Sequence, residues 1–379
     1  MEARTARLRR FLAADPTNID LACELADALL AEGSTGEAKT VLSTLPVDTM
    51  ASPAVRFRLS RIALVTGEYA AAEAGYRELI ADGHESAAVW HDLAFSQLCQ
   101  RQSEAASASL QVAISRFEPS PALFVLQARI ALMQGDFDSA LVALDHALAL
   151  DPADAAALGV QALALLDSNQ FDRAAQAAHA CLQRYPDQHE ALLVGGTLAL
   201  WAQDLDAAQT QFERALSRFP NSGRALSGYG QVLMLRNDMM GARQVLDRAV
   251  SAMPDHIGTW HALAWAQLLQ GDPDAAEISY RSAYALDRNF GDSHGGLALI
   301  DALHGRFDEA EVGIKRALRL DPNAITARYA QTLVLEARGD RAASEAVMDQ
   351  LLQQGGSATP IPAKEFAARL KATLGAAPR

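Results

Sequence analysis

Histidine and carboxylate side chains a few residues apart are the first candidates for chemistry, and one short stretch of this chain holds His294, Asp301 and His304. Three such groups could bind a divalent metal ion if they converged. Residues ten apart on one helix point about 280° away from each other, however, so the two histidines diverge. His189-Glu190 begins like the zinc-protease motif H-E-x-x-H, but Leu193 stands where the second ligand belongs. Gly228-Tyr229-Gly230 lacks the third glycine of a dinucleotide loop, and no G-x-x-x-x-G-K-[ST] or G-x-S-x-G run occurs. Cys23, Cys99 and Cys181 are odd in number, widely spaced and never in a C-x-x-C pair, which fits a reducing compartment and indicates neither a disulfide framework nor a zinc site. The expectation is no catalytic residue, no metal and no cofactor.

The elements that carry these residues announce themselves by period. Ala38, Ala72, Ala106, Ala140, Ala174, Ala208, Ala242, Ala276 and Ala310 each follow the last by 34 positions. A fixed spacing of this length marks a helix-turn-helix array, in which a unit cannot bury its own apolar face and leans on its neighbours. Units in register start at Ile19, Pro53, Ala87, Pro121, Ala155, His189, Gly223, Ile257, Gly291 and Ile325. Positions within a unit are called slots, counted from that first residue. The alanine row is slot 20. Twelve positions earlier, at slot 8, lies a second small row: Ala26, Ser60, Ala94, Ala128, Ala162, Gly196, Gly230, Ala264 and Ala298. The two rows should let the paired helices approach closely, with larger residues such as Tyr76, Leu144, Phe212 and Tyr280 filling the space between units.

Turn chemistry follows the same register. Gly33, Gly67, Gly135, Gly271, Gly305 and Gly339 occupy the interhelix turn, with Asn169 and Asn237 as left-handed substitutes. Arg101 and Gln203 break that rule, so their turns should be strained or irregular. Asp136, Asp204, Asp238, Asp272 and Asp340 stand where the next helix has unpaired N–H groups, and prolines such as Pro152, Pro186, Pro220 and Pro322 close units. Before the array, Leu8, Phe11 and Leu12 share a stripe that predicts a capping helix over residues 1–18; after it, Phe366, Leu370 and Leu374 predict a second cap within 359–379.

This pattern resembles the tetratricopeptide repeat (TPR) family, in ten units over residues 19–358. The resemblance implies an all-α fold, a right-handed α-solenoid (superhelix) of antiparallel helix pairs with N- and C-terminal capping helices. It also implies that slots 2, 5, 6, 9, 12 and 13 line a concave groove. The candidate partner-binding residues in those slots are Phe57, Arg58, Arg61, His91, Phe95, Arg129, Trp201, Arg224, Gln231, His261, Trp265, Gly295, Gly296 and Tyr329. Slot 9 reads Asp27, Arg61, Phe95, Arg129, Leu163, Thr197, Gln231, Trp265, Leu299, Leu333, which assembles neither the family's carboxylate clamp nor an asparagine ladder. Gly159, Gly228, Gly258, Gly295 and Gly296 fall in groove slots in mid-helix, at a cost of about 1 kcal/mol each relative to alanine. They either relieve crowding or admit a partner's backbone, with Trp201, His261 and Trp265 as anchors.

The formal charge of −13, from 33 basic and 46 acidic residues, disfavours nucleic acid as a partner. Arg4, Arg7, Arg9 and Arg10 are a local exception that reads first as a solvated helix face. No run of about 18 apolar residues could insert into a membrane, and no apolar stretch near the start is long enough for a signal peptide, so a cytoplasmic, bacterial-type protein is expected. The function that follows is a non-enzymatic scaffold or adaptor holding a protein or peptide in the groove, with oligomeric state open. Alternatives are a peptide-sensing regulator whose superhelix changes on ligand binding, or the targeting subunit of a separately encoded enzyme.

Overall fold

The computed structural model describes residues 2–354. Among the described residues all regular structure is α-helix, and the array is of the solenoid type. It divides into two compact units, Met1–Ala177 and Ala178–Arg379. The first begins with α1 (Glu2–Ala14) and continues with α2 (Ile19–Ala31), α3 (Thr35–Ser43), the short α4 (Val47–Met50), α5 (Pro53–Val65), α6 (Tyr69–Ala81), α7 (Ala87–Cys99), α8 (Ser103–Arg116), α9 (Pro121–Met133), α10 (Phe137–Leu150) and α11 (Ala155–Asp167). After α12 (Phe171–Arg184), the second holds α13 (His189–Trp201), α14 (Leu205–Arg218), α15 (Gly223–Leu235), α16 (Met239–Ala252), α17 (Ile257–Leu269), α18 (Pro273–Leu286), α19 (Gly291–Leu303), α20 (Phe307–Leu320), α21 (Ile325–Ala337) and α22 (Arg341–Gln354). The C-terminal capping helix expected within 359–379 lies outside the described residues.

Each interhelix turn closes in the same way. In the turn after α9, the Gly135 N–H donates to the Leu132 carbonyl at 3.1 Å and the Asp136 N–H to the Ala131 carbonyl at 2.9 Å. This pair of bonds satisfies two of the helix's orphan carbonyls and requires a left-handed residue between them. Gly135 has φ +76°, and the two rule-breakers comply: Arg101 has φ +62° and Gln203 +61°, beside Asn169 at +61° and Asn237 at +67°. The turns at Arg101 and Gln203 are therefore regular in geometry and strained in backbone.

Carboxylates at the next position cap the second helices as their placement predicts. Asp136, Asp204, Asp238, Asp272 and Asp340 accept from the backbone N–H three residues on, at 2.9 to 3.1 Å. Two local departures have simple causes. Residue 45 precedes Pro46 and cannot stay helical, so α3 stops early and α4 follows as a single turn. In α1 the inward stripe is Thr5 and Leu8 with Leu12 at its edge, and Phe11, expected on it, is 51% exposed.

Packing follows the two small rows. All nine slot-20 alanines are fully buried, and slot 8 meets slots 23 and 24 of the same hairpin at close range: a Cβ on Gly313 would sit 2.8 Å from that of Ala298, and one on Gly196 2.8 Å from Phe212 Cε1. The core is accordingly a succession of small clusters, each sharing helices with the next, for example Leu8 to Ile62, Leu64 to Phe95 and Ala94 to Ile130 in the first compact unit.

Replacing a strained side chain with glycine tests the turn. Gln203→Gly should raise stability by about 0.5–1 kcal/mol and Gly135→Gln should lower it comparably, read as opposite shifts in urea midpoint; equal midpoints would mean the left-handed turn carries no strain.

Candidate functional site

The residues first suspected of metal chemistry go separate ways. His294 Nε2 lies 2.8 Å from the Arg288 carbonyl, its ring edge-on to Tyr284; Asp301 accepts from Arg306; His304 Nε2 lies 3.2 Å from Asp274. Among the described residues no group of three or more His, Cys, Asp or Glu side chains is placed to hold a metal ion. What the helices do assemble is a series of contacts between successive first helices, and these differ between the two compact units.

In the first unit, the contacts are charged and half open to solvent. Arg58 on α5 donates through Nη2 and Nε to Asp27 on α2 at 2.7 and 3.1 Å, and through Nε to the Cys23 carbonyl at 3.2 Å. One unit on, the buried Tyr76 hydroxyl donates to Asp92 Oδ2 at 3.2 Å, and Asp92 Oδ1 lies 2.8 Å from His91 Nδ1. Burial and the Asp92 charge both drive the Tyr76 hydroxyl well above its ordinary value, so it is a permanent donor. The His91 ring stacks on Phe95 at 6.5 Å between centroids, and Phe57 meets Tyr76 edge-on at 5.9 Å. Phe57, His91, Phe95 and Arg129 are half-buried; Arg61 is exposed. Burial raises the Cys99 thiol, which shares a hydrogen bond with Tyr69 and feels the Arg129 charge.

In the second unit the contacts are polar but closed off. Thr259 donates to Ser227 at 3.1 Å, His261 Nε2 lies 3.0 Å from Ser293 Oγ, and Thr326 donates to Asp292 Oδ1 at 3.1 Å. These link first helices α15, α17, α19 and α21 in turn. The His261 ring sits edge-on between Tyr280 and Phe290, and burial alone pushes it down to about 4. His261, Trp265 and Tyr329 are 9%, 8% and 4% exposed. They are interior residues and not open groove positions: His261 and Trp265 lie on α17, which is buried at every residue from 261 to 269, and Tyr329 lies on the buried face of α21. Trp201 at 55% and Arg224 remain exposed, and Gln231 is half-buried, its amide 3.3 Å from the Ser227 carbonyl.

Three of the five mid-helix glycines, Gly228, Gly295 and Gly296, sit in crowded places, whereas Gly258 is exposed. A Cβ on Gly228 would lie 2.3 Å from Phe212 Cζ, and one on Gly296 2.3 Å from Tyr280 Cε1. A Cβ on Gly295 would meet Thr326 Oγ1 at 2.2 Å and the Ala327 nitrogen at 2.7 Å. The chain's own side chains and backbone fill the space that a partner was expected to use. Slot 24 of one unit and slot 6 of the next are thus complementary in size: Phe212 over Gly228, Tyr280 over Gly296, while Tyr76 meets Asp92 there through its hydroxyl. Sequence reading missed this pairing, and missed the slot-5 to slot-3 polar rungs, because both link residues in different units at separations no single-helix pattern reveals.

Slot 13, the last residue of a first helix, is mixed: Val65 is 58% and Met133 49% exposed in the first compact unit and Trp201 55% in the second, whereas Cys99, Asp167, Leu235 and Leu303 are half-buried and Leu269 is buried.

Family models of the tetratricopeptide repeat match residues 91–155, 125–189, 160–200, 193–257 and 257–290. No curated protein matches the sequence. Among solved structures, the human IFIT1 dimer with m7Gppp-AAAA is 14% identical over 89% of this chain and 90% of its own, with a TM-score of 0.54. A monomeric IFIT1 mutant with Gppp-AAAA is likewise 14% identical, over 93% of this chain and 91% of its own, at 0.54. YrrB, a TPR protein with an unusual peptide-binding site, is 17% identical over 52% of this chain and 99% of its own, at 0.37. At these identities the likeness to the IFIT1 structures is one of fold.

Two measurements check the interior. Gly228→Ala should cost roughly 1–3 kcal/mol in urea unfolding, and Phe212→Leu should suppress much of that cost; additive losses would disprove the size pairing. The folded chain holds His261 neutral whereas the unfolded chain takes up a proton near 6.5, so stability is complete above about 6.5 and lost as pH falls toward 4. That loss should approach about 3 kcal/mol, and His261→Asn should flatten it.

Proposed function

The chain belongs to the tetratricopeptide repeat family, and from that premise we propose that it is a non-enzymatic scaffold or adaptor that holds a segment of another protein against its first helices. The observation that carries this reading is the exposure of large apolar residues at first-helix ends within each compact unit, Val65 and Met133 in the first and Trp201 in the second. Val65, Met133 and Trp201 are large apolar side chains left about half exposed at equivalent helix ends, where a fold that buries its slot-20 alanines completely could have hidden them. Half-buried Phe57 and Phe95 on α5 and α7 extend the apolar surface in the first compact unit. No helix among the described residues is long and apolar enough to cross a membrane.

The IFIT1 structures hold capped oligoadenylate, which raises nucleic acid as an alternative partner for this fold. Our reading favours protein, because a chain with 46 acidic and 33 basic residues lacks the surplus of positive charge that phosphate backbones demand.

Trp201→Ala separates binding from folding. It removes an exposed side chain, so unfolding should move by no more than about 0.5 kcal/mol while capture of partner proteins from native extract, quantified by mass spectrometry, falls roughly tenfold. Trp265→Ala, by contrast, empties an interior position and should cost about 3 kcal/mol or more. Unchanged capture by the Trp201 variant would overturn Trp201 as a binding residue.

A further inference from the structure

α1 packs on the first helix pair by one narrow face. Thr5 and Leu8 are buried, the Thr5 hydroxyl donating to Glu32 at the end of α2, and Leu12 lies at the edge. At about 100° per residue these three span roughly 60° of the helix circumference, and Arg4, Phe11, Arg7 and Arg10 follow in that order over about 120° of the adjoining flank. Phe11 therefore sits between Arg4 and Arg7 in angle, and it is 51% exposed. Arg4, Arg7 and Arg10 are exposed too and make no hydrogen bond or ion pair among the described residues, whereas Arg9, on the other flank, is tied to Glu37 on α3. Like charges three residues apart on a helix repel, so the row of arginines at 4, 7 and 10 is a cost that nothing among the described residues offsets.

We propose that this flank of α1 is a docking face for an anionic phospholipid surface, with Arg4, Arg7 and Arg10 on the headgroup phosphates and Phe11 entering the boundary between headgroups and acyl chains. The proposal is independent of the protein-binding reading above. A helix that lies in the plane of a membrane sets apolar side chains into that boundary and pairs its cations with anionic lipid. A planar guanidinium matches phosphate with paired donors. Near such a surface each arginine contributes about fivefold in partitioning, so three contribute on the order of a hundredfold, a reversible attachment. α1 carries four arginines and one acidic residue, in a chain whose net charge is −13. The acidic remainder opposes contact only weakly, because charges beyond about 8 Å are screened at physiological ionic strength. Nucleic acid is the competing polyanion, but it draws its affinity from many phosphate contacts and this flank supplies three cations. The exposed ring among them favours lipid.

Sedimentation of the full chain with vesicles tests the proposal, using phosphatidylcholine alone or with one third of phosphatidylserine. The chain should bind the anionic vesicles and not the neutral ones, more weakly as salt is raised. Arg4→Gln, Arg7→Gln and Arg10→Gln combined should lower partitioning at least roughly tenfold. Lys315→Gln, Arg316→Gln and Arg319→Gln combined make the same change of charge at exposed positions of α20 and should leave partitioning as it is. Phe11→Ala should lower it roughly fivefold, and Phe11→Trp should restore it. Because Arg4, Arg7 and Arg10 have no partner among the described residues, their triple variant should keep the wild-type helicity and unfolding midpoint. Absence of binding, equal binding to neutral and anionic vesicles, or equal binding by the triple variant overturns the proposal. A single-stranded oligonucleotide bound as tightly as the vesicles at the same salt, with Phe11→Ala without effect on either, assigns the flank to polyanions in general and overturns the lipid surface.

Discussion

Two rows of small side chains fix how near the paired helices can come, and everything else in this chain is arranged around that distance. A helix pair brought together over alanine at slot 20 and alanine, serine or glycine at slot 8 sets the large slot-24 side chain against the small slot-8 residue of its own pair, as Phe212 lies against Gly196. The same side chain reaches over slot 6 of the next pair, as Phe212 does over Gly228 and Tyr280 over Gly296. Burial of Phe212 and Tyr280 is therefore shared between a pair and its neighbour. Many small, overlapping apolar clusters replace a single central core.

The same distance explains how far the sequence could be read. Features that lie within one pair were legible: the alanine row, the capping aspartates and the left-handed turn follow from residue type and spacing along a single helix hairpin. Even Arg101 and Gln203, which violate the glycine preference, obey the register, because two backbone hydrogen bonds per turn outweigh one strained residue. Features that lie between pairs were not legible. Gly228 and Gly296 looked like openings toward a partner because nothing within their own helices showed that Phe212 and Tyr280 reach over them. Trp265 looked like an anchor for the same reason, and is buried in a cluster that runs from Met234 to Leu351.

Polar chemistry is partitioned along the first helices. In the second compact unit, serine, threonine and histidine close short hydrogen-bonded rungs inside the interface, where an unpaired group would be costly. In the first, the rungs are ionic and partly open to water, where charges can remain without being neutralised. On α5 and α7 the helices thus leave charged side chains such as Arg58 and Asp92 half-buried.

Size pairing between slot 24 and slot 6 also gives the array a direction and a grammar. Phe212 and Tyr280 are each followed by a glycine at slot 6, Tyr76 by Asp92, which accepts from its hydroxyl, and the smaller Leu110 and Leu144 by Leu126 and Val160. Repeats that look interchangeable by their alanines are therefore not exchangeable: a duplication or shuffling event inside this chain would succeed only if it carried both halves of a boundary together. The heritable module is the junction between neighbouring hairpins rather than the hairpin itself.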